Sequence, residues 1–120
     1  MLKPLDVIWI FDGCIRPPGP KMVVCIEPSL GLFFRINTEP KWQTPVELRK
    51  SDHPFLDWDS NLECGEPLEF DDYVIEESLR DRGVIGRVLP SLAPQIFEAV
   101  RNARTVTAAD KEAIRIALGC

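Results

Sequence analysis

The chain has 120 residues, of which 45% are hydrophobic and 28% charged, and a formal net charge of −5. That length suits one domain with a real core and excludes two, while the composition is that of a globular chain and not a disordered one. No apolar run approaches the roughly 18 residues of a membrane span, and an evenly spread negative charge would disfavour nucleic acid.

The charge is not evenly spread. Residues 1–50 sum to +2, residues 51–90 to −8 and residues 91–120 to +1. Two electrically distinct faces and a merely solvated acidic loop both fit this pattern. The start, "MLKPLDVIWIFDG", has no small-residue cleavage site and is expected to be a first strand, not a signal peptide. Cysteines at 14, 25, 64 and 120 form no C-x-x-C pair, and their spacing matches no zinc ribbon or finger. Reduced thiols in a cytoplasmic protein are therefore expected, with no metal and no cofactor. Cys25, inside "MVVCI", is expected to act as a small core residue.

In chain order, "LDVIWIF" (5–11) is β-branched and aromatic enough for a strand, and "DG" ends it. "CIRPPGP" has three prolines and a glycine in seven residues, so it is a loop. "KMVVCIE" (21–27) is a continuous apolar run, suited to a strand covered on both faces. "PSLG" turns the chain and "LFFRINT" (32–38) returns it, a hairpin with Gly31 in the awkward turn position. In "TPVELRK" (44–50) Val46 and Leu48 alternate with Glu47 and Arg49, marking a half-exposed strand, and Pro45 places it at a beginning or an edge. "NLECGEPLEF" predicts one or two short strands broken at Gly65-Glu66-Pro67.

The period then changes. "FDDYVIEESLRDRG" predicts a short helix with an aspartate cap and a stop at Gly83. "VIGRVLP" (84–90) is a short extended piece. "SLAPQIFEAVRNA" (91–103) aligns Leu92, Ile96 and Val100 on one helical face, with Ser91 as cap. "TAADKEAIRIALG" (107–119) opens with Thr107 and Asp110 in capping-box spacing, buries Ala113, Ile114, Ala117 and Leu118, and ends at Gly119. The expectation is a single mainly-β or α+β domain. Five or six strands over about 5–70 bend into a small barrel, and two or three helices follow over about 71–119.

One stretch, "SDHPFLDWDSN" (51–61), holds the only histidine, three aspartates and a tryptophan. His53 with Asp57 or Asp59 has the chemistry for proton transfer. The same residues also make a turn. Pro54 extends the backbone before it, Phe55, Leu56 and Trp58 anchor the end of the barrel, and Asp59 or Ser60 caps the bend. Both readings stand at this point, the corner ahead of the catalyst.

The order of these pieces resembles the PemK/MazF-like toxin family. The likeness lies in "DVIWIFDG", a proline/glycine loop, "KMVVCIE" opening on a basic residue, a hairpin strand ending at Asn-Thr, and "RGVIGRVLP" before a helix. It covers most of the chain as a pattern of elements more than of identities. It implies an SH3-like barrel, metal-free cleavage of single-stranded RNA, an antitoxin partner and a homodimer. The family's second strand opens on Arg-Pro, where Lys21-Met22 stands here; lysine keeps the charge and loses the planar fork that grips a phosphate. The family's hydroxyl position falls on Asn37 or Thr38.

On that reading Lys21, Thr38, Asn37 and His53 are the catalytic candidates. Arg16, Arg35, Phe34 and Trp42 are the RNA-binding ones, as cations and as flat stacking surfaces. Plainer roles compete. One of Phe33 and Phe34 belongs to the core, Arg35 solubilises an exposed face, and Lys21 marks where a strand leaves its loop. The rival function is a barrel of the same type that has lost catalysis and binds a protein.

Overall fold

The computed structural model describes residues 2–12, 18–40 and 44–120. Among these residues, seven antiparallel strands form one curled sheet: β1 (Asp6–Asp12), β2 (Gly19–Glu27), β3 (Leu32–Asn37), β4 (Pro45–Leu48), β5 (Ser60–Glu63), β6 (Leu68–Glu69) and β7 (Gly86–Arg87). The spatial order is β4-β5-β3-β2-β1-β7, with β6 also on β3. This is one strand more than the five or six expected: β6 is the second strand of "NLECGEPLEF", and β7 is a two-residue strand inside the extended "VIGRVLP" piece.

The curvature is concentrated in β3. Its first half, Leu32 and Phe33, pairs with β6, whereas Ile36 and Asn37 pair with β5. One run, residues 60–69, thus lines the same edge of β3 twice, and the break at Gly65-Glu66-Pro67 lets it do so. The Thr105 hydroxyl donates to the Gly65 carbonyl, tying this break to the helical layer. A register shift between Cys25 and Glu27 adds a further bend in β2. The sheet stops as a half-barrel, because β4 and β7 end it on opposite sides without meeting.

Three helices complete the α+β fold: α1 (Asp72–Asp81), α2 (Ala93–Asn102) and α3 (Ala108–Leu118). Each start has a local cause. Asp71 Oδ1 accepts from Val74 N at 3.0 Å, and Thr107 Oγ1 accepts from Asp110 N at 3.1 Å. Gly119 ends α3 in the left-handed region at φ 73°. Ser91 does not cap α2. Pro90–Leu92 forms a single 3₁₀ turn, Ser91 is exposed within it, and the helix proper begins at Ala93 with Pro94 in its first turn.

The continuous apolar runs make sense once both faces of the sheet are covered. Val7, Val24, Ile26, Phe34, Ile36 and Leu62 point into the hollow of the half-barrel, where Ile96 and Val100 of α2 and Ile114 of α3 fill it. The alternate residues Ile8, Ile10, Val23, Cys25 and Phe33 point outward beneath α1, against Phe70, Val74, Ile75 and Leu79. Phe33 and Phe70 meet edge to face at 5.4 Å between ring centres.

The segment 51–61 is a corner. His53 is fully buried, with Nδ1 2.8 Å from the Arg49 carbonyl, while Leu89 N donates to Nε2 at 3.1 Å. The proton therefore sits on Nδ1 and the other nitrogen accepts. The imidazole joins the strand leading into the corner to the segment leading out of β7. Asp59 Oδ1 accepts from Lys50 N at 2.8 Å, Lys50 Nζ donates to the Leu56 carbonyl at 2.7 Å, and Ser60 Oγ donates to the Trp58 carbonyl at 3.1 Å. Leu56 plugs the core as expected. Trp58 does not: it is 57% exposed.

Candidate functional site

The most chemically equipped region lies where the beginning of β2 passes the end of β3. Antiparallel pairing sets Ile10 against Lys21 and Trp9 against Met22 on one side of β2. On its other side Val23 faces Arg35, and that register carried two residues further brings Lys21 alongside Asn37. Strand alternation puts Lys21, Arg35 and Asn37 on the outward face of the sheet and Met22 and Ile36 on the inward one.

Thr38 sits at the rim, exposed. Its Oγ1 accepts the Trp58 indole N–H at 2.8 Å and its carbonyl accepts from Asn61 Nδ2 at 3.2 Å. The indole is thus held upright at the corner instead of being buried in it. An accepting hydroxyl keeps its own hydrogen, which remains to be aimed at a ligand.

Two shallow concavities meet at Lys21 and Thr38. One, of about 200 Å³, lies among Trp9, Met22, Asp57 and Trp58; the other, of about 300 Å³, includes Asn37 and Glu39. Asn37 is buried, and its Nδ2 donates to Glu63 Oε1 at 3.3 Å. This fixes the carboxamide behind the cleft. Next to Glu63, the buried Cys64 thiol is pushed well up, first by desolvation and then by the neighbouring carboxylate. Desolvation, with Asp6 and Glu27 adding to it, pushes the Cys25 thiol up to about 12. Neither is a thiolate nucleophile at neutral pH.

Of the candidates from the sequence, the fold brings Lys21, Asn37 and Thr38 together at one opening, with Arg35 half-buried on the same face as Lys21. Phe34 is a correction. It is fully buried in the hollow of the half-barrel and offers no stacking surface. Only one of the adjacent pair was expected inside, but helices cover both faces of β3, so both phenylalanines are core. His53 is fully buried with both ring nitrogens bound to the backbone, so the corner reading describes its geometry. Arg16 and Trp42 lie outside the described residues, as does Cys14.

No protein-family model matches this chain, and no curated protein matches it. Among the described residues, no three or more His, Cys, Asp or Glu side chains gather as a metal-ligand set, and no helix is long and apolar enough to cross a membrane.

Sequence reasoning placed Trp58 in the barrel's end and offered Asp57 only as a proton-transfer partner of His53, not as a cleft residue beside Lys21. Their signal was present: an indole flanked by two aspartates in "DWDSN" is a poor candidate for burial. Corners lack the alternation that tells strand faces apart, so the sequence alone did not say where Trp58 points.

Proposed function

We propose that this half-barrel is a toxin-like endoribonuclease of the PemK/MazF type, acting on single-stranded RNA. The observation that supports it is one opening shared by the Lys21 ammonium, the Thr38 hydroxyl and the exposed face of Trp58. In this reading a base stacks on Trp58, and Lys21 and the Thr38 O–H approach the scissile phosphate. Asp57, on the wall of the same cleft, takes the proton from the ribose 2′-hydroxyl. The 2′-oxygen attacks phosphorus, the bond to the 5′-oxygen breaks, and that oxygen takes a proton from Lys21 or solvent. The products are a 2′,3′-cyclic phosphate and a 5′-hydroxyl. Asn37, held by Glu63, supports the wall behind Lys21.

The test is purified protein on a long unstructured RNA in EDTA. Lys21→Ala should lower cleavage about 100-fold, in line with loss of one preorganised charge at a developing oxyanion. Lys21→Arg should keep or raise it. Trp58→Ala should raise KM about 10-fold, the order of one lost stacking platform. RNA left intact at every protein concentration, or a Lys21→Ala protein cutting like the parent, ends this proposal. An antitoxin partner and a two-fold dimer belong to the same reading. Light scattering that reports a monomer at micromolar concentration removes the dimer.

A second reading, a barrel that has lost catalysis and binds a protein, has its own observation. Asp57 and Glu39 stand around Lys21, so the described charges at the opening are not net positive. Salt-removable absorbance at 260 nm in the purified protein counts against this reading; its absence together with intact RNA favours it.

A further inference from the structure

A larger concavity lies beside the cleft, between α1 and β1. The pairing of β1 with β7 covers only Asp6 and Val7, so among the described residues the rest of β1 has no strand on that side. The backbone groups pointing there belong to the odd-numbered residues. The Val7 carbonyl is taken by Ile85 N at 2.9 Å, and the Trp9 carbonyl by the Ser78 hydroxyl of α1. The helix therefore stands in for the missing strand at one point and leaves a groove of about 660 Å³ alongside it.

Two aromatic side chains are conspicuously uncovered in its walls: Phe11 is 71% exposed and Tyr73 69%. Single exposed apolar residues need no explanation, but two flanking one groove that also contains Trp9 and Pro20 make a patch. Glu77, Asp81 and Arg82 line the groove, which leaves one net negative charge in its lining, and Glu77 Oε1 also accepts from Arg80 Nη1 at 2.7 Å. The segment 71–82 that carries them holds five carboxylates against two arginines.

Arg82 shows what this surface accepts. Its guanidinium lies over the Trp9 ring, 5.1 Å from the centroid, at the edge of the groove. Both of its features, an aromatic floor and a carboxylate rim, suit a cation carried on an apolar stem. A second copy of the chain fits poorly here. A two-fold contact through the groove would bring two linings of the same net negative sign together, and like charge across an interface opposes it.

We infer that the groove between α1 and β1 is a docking site for a protein segment that alternates arginine or lysine with apolar side chains. Trp9 and Pro20 line both this groove and the Lys21 cleft, so an occupant here borders the cleft without filling it. The inference does not depend on the cleft being catalytic.

Three synthetic 14-residue peptides test it on the intact chain: an Arg/Leu amphipathic sequence, its Glu/Leu counterpart and an Arg/Ser version without apolar residues. Binding is followed by fluorescence anisotropy. The Arg/Leu peptide should bind at least 10-fold tighter than either control. Glu77→Lys with Asp81→Lys should weaken it at least 10-fold, and Phe11→Ser with Tyr73→Ser should do the same. Lys21→Ala should leave it unchanged, which separates this site from the cleft. All four groove positions are on the surface, and far-UV circular dichroism confirms that the variants fold. Equal binding of Arg/Leu and Arg/Ser peptides, or undiminished binding to the Glu77→Lys/Asp81→Lys protein, would mean attraction by overall charge and overturn the proposal. A dimer that Tyr73→Lys dissociates would assign the groove to a second copy and overturn it equally.

Discussion

Replacing His53 by alanine separates a structural imidazole from a catalytic one. The ring accepts from Leu89 N at 3.1 Å, contacts the Arg49 carbonyl through Nδ1 at 2.8 Å, and packs edge to face on Phe55 at 5.8 Å between ring centres. Alanine leaves the Leu89 N–H unpaired and the Arg49 carbonyl with Asp52 N alone at 3.1 Å, worth about 1–2 kcal/mol together with the lost bonds. Emptying the space of a fully buried ring adds about 2–3 kcal/mol, on the scale of other large-to-small core substitutions. The expected loss is thus about 3–5 kcal/mol, or roughly 12–20 °C in Tm for a chain of this size. Because glutamine restores one of the two hydrogen bonds, His53→Gln should lose about half as much. Urea melts monitored by circular dichroism give the stability, and RNA cleavage per folded molecule gives the activity. A structural histidine predicts large destabilisation with the folded fraction as active as the parent. A His53→Ala protein within about 0.5 kcal/mol of parent stability, yet unable to cut RNA that the parent cuts, would refute the corner assignment outright.

Further outcomes follow from packing and titration. A Cβ at Gly86 would lie 2.8 Å from Phe55 Cγ, so Gly86→Ala should destabilise by about 1–3 kcal/mol in urea melts, and Phe55→Leu in the same chain should recover part of it; additive losses would contradict the clash. In a Cys14→Ser background, Ellman's reagent at pH 8 should label the exposed Cys120 quickly, and Cys25 and Cys64 only as the chain unfolds. Cys25 has its folded pKa raised from 9.0 to about 12, so the unfolded chain loses this proton first as pH rises. The stability it contributes is complete below about pH 9 and falls away between pH 9 and 12; Cys25→Ala should flatten that part of the pH profile, and an unchanged slope would be evidence against it.

Much of this molecule is readable from local sequence because local rules settle it. Asp71 and Thr107 cap their helices as their spacing requires, and Gly31 and Gly119 take the left-handed turns that other residues resist. Val46 and Leu48 alternate inward from an edge strand marked by Pro45. Each of these depends on a few neighbours in the chain. The start of α2 was misplaced because the Pro90–Leu92 turn competes with Ser91 as a cap, and their balance is not visible in the letters alone.

What the tertiary structure decided is everything that depends on coverage from a distance. Burial of Phe34 together with Phe33 requires helices on both faces of β3, and periodicity cannot say whether a second layer arrives. The role of His53 depends on Leu89, 36 residues away, and the exposure of Trp58 on a hydrogen bond to Thr38, 20 residues away. Lys21 meets Asn37 and Thr38 only because β2 and β3 pair in one register and not in the next. Sequence specified the strands and the helix starts, where backbone preference and alternation act over a few residues. The cleft and the groove came from pairing and layering, which act between residues far apart in the chain.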